Sequence, residues 1–155
     1  MHILIKHTIN LICKGIIIIS FIFVGFNANA NQTVEEIIKG RKALFSKNYN
    51  TAKRVQALSS SGNFDDAKKL MMEMSENYKK LKEMFPENTK QGFKTESLPI
   101  IWEEKDNFNS LMDKSSNDML ELASIIQNSD DVKLVLGKLM WGNCKACHNK
   151  YREEH

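Results

Sequence analysis

The sequence predicts an all-α protein folded as an antiparallel four-helix bundle. Three observations predict it. Apolar residues recur at helical spacing in four separate stretches. No stretch carries the strict alternation of a half-buried strand. The stretches are punctuated by Ser59-Ser60-Ser61-Gly62, by the segment between Pro86 and Pro99, and by Ser129, all residue types that end or start helices.

Residues 1–30 stand apart. Lys6 and Lys14 precede an apolar run from Ile16 to Phe26, which is followed by Ala28-Asn29-Ala30. This is the anatomy of a secretory signal peptide cleaved after Ala30, and it predicts a periplasmic protein. A retained N-terminal anchor is the alternative, but the run is shorter than the ~20 residues of a membrane span. Residues 31–155 then form one domain with one core. Loss of Lys6 and Lys14 from 22 Lys and Arg, set against 19 Asp and Glu, leaves a net charge of about +1. A near-neutral chain without a clustered basic face gives no case for nucleic acid. Cys13 leaves with the leader, so Cys144 and Cys147 are the remaining thiols.

Each helix has its own start and stop. Thr33 with Glu36 three residues later makes a capping box, and Val34, Ile37, Ile38, Phe45, Ala52 and Val55 follow on one stripe. The second helix starts near Asn63 or Asp65, carries Phe64, Ala67, Leu70, Met71, Met74, Tyr78, Leu81 and Phe85, and stops at Pro86. Residues 86–98 lack a steady period and read as a connecting loop. Pro99 fits the first turn of a third helix that runs to about Asn128. Ser129 is the expected cap of the fourth, with Asp130 and Asp131 favourably placed against its dipole.

The fourth helix carries Cys144-Lys145-Ala146-Cys147-His148. Positions i, i+3 and i+4 share a helix face, and this spacing of two thiols and an imidazole matches the attachment site of a c-type haem. The sulfurs would form thioethers with the porphyrin edge while His148 reaches the iron. A zinc site needs about four ligands, and only His155 remains to add. A thioredoxin-like dithiol wants a βαβ context, and a chance match is the remaining alternative. Arg41 falls on the apolar stripe of the first helix, where a guanidinium is costly unless an anion meets it. A haem propionate is one such anion; snorkelling to the surface or pairing with a helix carboxylate is the other reading.

These residues carry a family resemblance. The chain resembles cytochrome c′, the class II c-type cytochromes, over its whole mature region. The match rests on Cys144 to His148 followed by Tyr151-Arg152, on Lys39-Gly40-Arg41-Lys42-Ala43, and on Ile101-Trp102. The resemblance implies one haem c held covalently through Cys144 and Cys147, His148 as the proximal iron ligand, Arg152 beside it, and Arg41 near a propionate. It also implies that Phe45 faces the other side of the iron, where low-spin members place a ligating Met. Haem attachment machinery, redox partner proteins and a homodimer paired through the first helices are further implications.

A Phe has no lone pair to donate, so the iron is expected to be five-coordinate and high-spin, open to nitric oxide and carbon monoxide. An apolar pocket would discriminate against dioxygen. The rival reading is a low-spin electron carrier with a Met as sixth ligand, although thioethers at helical spacing are usually core filling. No acid–base pair is apparent over the site, which argues against an enzyme.

Overall fold

The computed structural model describes residues 32–154. The expected leader, with its cleavage point after Ala30, lies outside the described residues. Four helical rods make the bundle. α1 spans Val34–Ser60 and α2 spans Phe64–Lys82; α3 (Ile100–Glu103) leads into α4 (Lys105–Ile125). The last rod runs from α5 (Val132–Leu136) through a π-helical turn at Gly137–Trp141 into α6 (Gly142–Tyr151). Among the described residues no strand forms, and a single isolated bridge pairs Ser97 with Arg152.

The capping box closes the start of α1 as its residue types dictate: Glu36 N donates to Thr33 Oγ1 at 3.2 Å, and Thr33 N donates to Glu36 Oε2 at 2.8 Å. Gly62, at φ +78°, reverses the chain in the left-handed conformation that suits a residue without Cβ. Asn63 then caps α2. The core between α1, α2 and α4 is filled by Val55, Met71, Met74, Leu81, Phe108, Met119 and Leu122, each at most 1% exposed. α2 packs most extensively against α4 and next against α1.

Three local expectations are corrected. The third rod is not continuous, because Glu104 leaves the helical region at φ −115°, ψ 44° and separates α3 from α4. Trp102 Nε1 and Lys105 Nζ, on either side of the break, both donate to Phe85 O, at 3.0 and 3.1 Å. The cap of the last rod is Asp131 rather than Ser129. A 3-10 turn at Ile126–Asn128 uses up the preceding residues, and Asp131 Oδ1 accepts from Leu134 N at 2.8 Å. Finally, α2 ends at Lys82, short of Pro86, while Phe85 still reaches the core.

The π turn sets the direction of everything after it. A wider turn places one extra residue in the rod, and each residue of an α-helix corresponds to a rotation of about 100°. Consecutive Leu139 and Met140 are both buried there, and burial then continues at Asn143, Cys147 and Tyr151. Gly142 closes the turn by donating its N–H to Gly137 O, and a Cβ at 142 would stand 3.2 Å from that same oxygen.

The 86–98 segment is tied down from two directions. Arg41 reaches it from α1, and the chain beyond α6 pairs with its end: Leu98 N donates to Tyr151 O at 3.0 Å and Glu153 N to Glu96 O at 2.9 Å.

Candidate functional site

One end of the bundle encloses a cavity of about 750 Å³, within the ~300–1,000 Å³ range of small-molecule and cofactor sites. α6 supplies one wall with Cys144, Cys147 and His148; α1 supplies Arg41, Phe45, Asn48 and Tyr49; α2 contributes Tyr78. Phe85, Ile101, Phe108 and Met112 complete the apolar lining. The structure therefore brings together all six residues singled out in the sequence: Cys144, Cys147, His148, Arg41, Phe45 and Arg152.

The two thiols are free and not joined to each other. Burial pushes the Cys147 thiol up to about 12 and raises Cys144 as well, so both keep their S–H at neutral pH. Tyr78 Oη lies 3.9 Å from Cys144 Sγ. Its own proton is held tightly, chiefly by burial. His148 is half-buried, and burial, with the Arg152 charge adding to it, lowers its pKa from the ordinary histidine value. It is therefore a neutral imidazole at pH 7, the form that offers a lone pair to a metal.

Arg41 is 1% exposed, and its terminal hydrogens meet neutral oxygens. Nη1 donates to Met84 O at 3.2 Å and Thr89 Oγ1 at 2.8 Å, while Nη2 donates to Thr89 O at 3.0 Å and Thr95 Oγ1 at 2.6 Å. The guanidinium also stacks 4.5 Å above the Phe85 ring. It does not snorkel to the surface. Burial lowers it to about 10, so it stays charged at neutral pH. It clasps the 84–95 segment with its terminal hydrogens and brings its charge, rather than those hydrogens, to the cavity wall. Arg152, by contrast, has a buried Nε without a hydrogen-bond partner.

Several lining residues lie outside the motifs of the sequence. Asn143 directly precedes Cys144 and fixes α6 to α4, donating from Nδ2 to Asp118 Oδ2 at 2.8 Å and to Leu139 O at 2.6 Å. Trp141 donates to Gln56 Oε1 at 2.8 Å and packs edge-on against Tyr49. Asn48 lies on the buried stripe of α1, three residues after Phe45, and its Oδ1 accepts from Asn77 Nδ2 at 2.8 Å. The lining expected to be apolar thus includes a buried amide and the Tyr78 hydroxyl. Asn48 was legible as a polar residue on an apolar stripe, the same signal that picked out Arg41.

The donor set fits an iron porphyrin. Two protonated thiols three residues apart could capture vinyl groups, a neutral imidazole is adjacent on the same helix, aromatic rings line the cavity, and two guanidiniums in its wall could offset the charge of propionates. A four-helix bundle with this wall defines a c-type haem protein. The comparisons agree. The cytochrome c′ family model matches residues 36–152. The cytochrome c′ of Rhodopseudomonas palustris is 32% identical over 120 residues, covering 76% of this chain and 82% of that one. A solved structure of cytochrome c′ from the same organism superposes with a TM-score of 0.62 at 28% identity, and that of Rubrivivax gelatinosus with 0.66 at 25%; each comparison covers 79% of this chain and 98% of the other.

The chain belongs to the cytochrome c′ family. Its cofactor is haem c, bound covalently through Cys144 and Cys147.

Proposed function

We propose that the protein is an exported haem protein that binds small diatomic ligands, nitric oxide and carbon monoxide foremost, on the Phe45 side of its cofactor. Haem, when bound, would supply an iron able to bind a small ligand. His148, one residue after Cys147 and neutral, is the residue that would hold that iron. Arg152 adjoins it and biases its basicity through its charge. Arg41 and Arg152, both in the cavity wall, would offset the charge of propionates.

The observation that carries this reading is the composition of the cavity wall on α1. Phe45 stands there and has no atom able to bind iron. The lowered pKa of His148 and the cofactor-sized cavity support it further. Export after cleavage near Ala30 fits the attachment chemistry, which is served by haem attachment machinery; redox partner proteins would act as electron donors to the iron.

A second reading has one observation in its favour. Met112, 1% exposed, also lines the cavity, and a thioether ligand there would give a low-spin electron carrier. Visible spectra of the purified holoprotein with and without carbon monoxide decide between the two. The open-site reading expects high-spin spectra and a carbon monoxide-induced change on reduction. Low-spin spectra in both oxidation states at neutral pH, unresponsive to carbon monoxide, would overturn it in favour of Met112. Intact mass after denaturation checks that the porphyrin is covalently retained.

A further inference from the structure

Native interiors leave few buried polar groups unpaired, because an unpaired donor costs the full desolvation of the group. Among the described residues four buried side-chain atoms have no hydrogen-bond partner: Asn48 Nδ2, Ser59 Oγ, Asn109 Oδ1 and Arg152 Nε. Two of these belong to residues that line the cavity, Asn48 and Arg152. Arg152 is the neighbour of His148 already described. Asn48 has no role so far.

The position of Asn48 is specific. It lies one helical turn beyond Phe45, so the two share a face of α1, and it is 4% exposed. Its Oδ1 is engaged by Asn77 Nδ2 at 2.8 Å, and Asn77 is itself 4% exposed on α2. That contact fixes the plane of the amide and leaves the NH2 end unused. An apolar residue would fill this stripe position without desolvating an amide, as Ala52 and Val55 do on the following turns. A donor that is buried, oriented by a second residue and left without an acceptor has the character of a binding group awaiting its ligand.

We infer that Asn48 is a hydrogen-bond donor to the small ligand, meeting the outer atom of a diatomic that carries partial negative charge. The inference rests on the proposed ligand-binding reading and deepens it. The Phe45 side of the cavity is not uniformly apolar, and discrimination among diatomics there is set by a donor as well as by size. Ligands whose outer atom becomes more negative on binding gain most from it.

Infrared spectroscopy of carbon monoxide bound to the reduced holoprotein tests this directly, because a hydrogen bond to the outer oxygen lowers the C–O stretch. The wild-type band is expected below those of Asn48→Leu and Asn48→Ala, and it is expected to shift in D2O while the bands of both variants do not. Nitric oxide should leave either variant roughly two- to tenfold faster, the ratio that one net hydrogen bond confers. Two substitutions of different size guard against a folding defect in one, and the D2O comparison on wild type needs neither. Bound carbon monoxide with the same stretch in all three proteins and no isotope shift overturns the role of Asn48 while leaving ligand binding standing. No carbon monoxide binding to wild type overturns both.

Discussion

Asn143 and Asp118 form a buried hydrogen bond of 2.8 Å between α6 and α4, one residue before the first attachment cysteine. Asp118 also accepts from Lys114, so its carboxylate joins a cation on its own helix to an amide on the next. Replacing Asp118 with Ala removes the acceptor from both. Loss of such a buried bond costs about 1–3 kcal/mol. Denaturant unfolding of the Asp118→Ala holoprotein is expected to show that loss.

The two glycines that bracket the π turn should behave oppositely. Ala exceeds Gly in helix stability by about 0.5–1 kcal/mol. A Cβ at Gly137 meets nothing within 4 Å, so Gly137→Ala should realise that gain. A Cβ at Gly142 presses on backbone at 3.2 Å. Gly142→Ala should therefore show no gain or a net loss in thermal unfolding, and the contrast between the variants reads the tightness of the turn.

Phe45 controls the open site in the proposed function. Phe45→Met should place a thioether within reach of the iron and convert the spectrum to low spin, with carbon monoxide affinity falling. Met112→Leu should leave the spectrum unchanged. If Phe45→Met leaves the spectrum as it was, or if Met112→Leu alters it, the ligand side has been misassigned.

Arg41 should matter more to the 84–95 segment than to the rest of the bundle. Lysine keeps the charge but lacks the planar fork that serves four acceptors at once. Arg41→Lys should cost about 1.5–3 kcal/mol, the scale of a hydrogen bond to a charged group. Hydrogen exchange should rise at Thr89 and Thr95 before it rises in α2 or α4.

The parts of this fold legible in the sequence were those written in local periodicity. The stripes of α1, α2 and α4, the Thr33 capping box and the spacing of Cys144, Cys147 and His148 all follow from residues within a few turns of one another. What was not legible depends on distant partners. The interruption at Glu104 coincides with Trp102 and Lys105 both bonding to Phe85 O, and the width of the turn before α6 leaves no mark in an apolar pattern that remains helical on either side. Arg41 shows both limits. Its burial could be read from its place on the stripe, whereas Thr89 and Thr95 as its acceptors could not, since 48 and 54 residues separate them from it. Asn48 belongs with Arg41, because polarity on a buried stripe marks a residue for attention without naming its partner.

The bridge between residues 96–98 and 151–153 has a consequence for the integrity of the molecule. Gly92, Phe93 and Lys94 all have positive φ, and they are exposed, so this bend is where a protease would cut. On the near side of such a nick Thr89 stays bonded to Arg41, and on the far side Leu98 and Glu96 stay bonded to Tyr151 and Glu153. The clipped protein should therefore migrate as one intact particle under native conditions and separate into two pieces only in denaturant, with the haem remaining on the C-terminal piece.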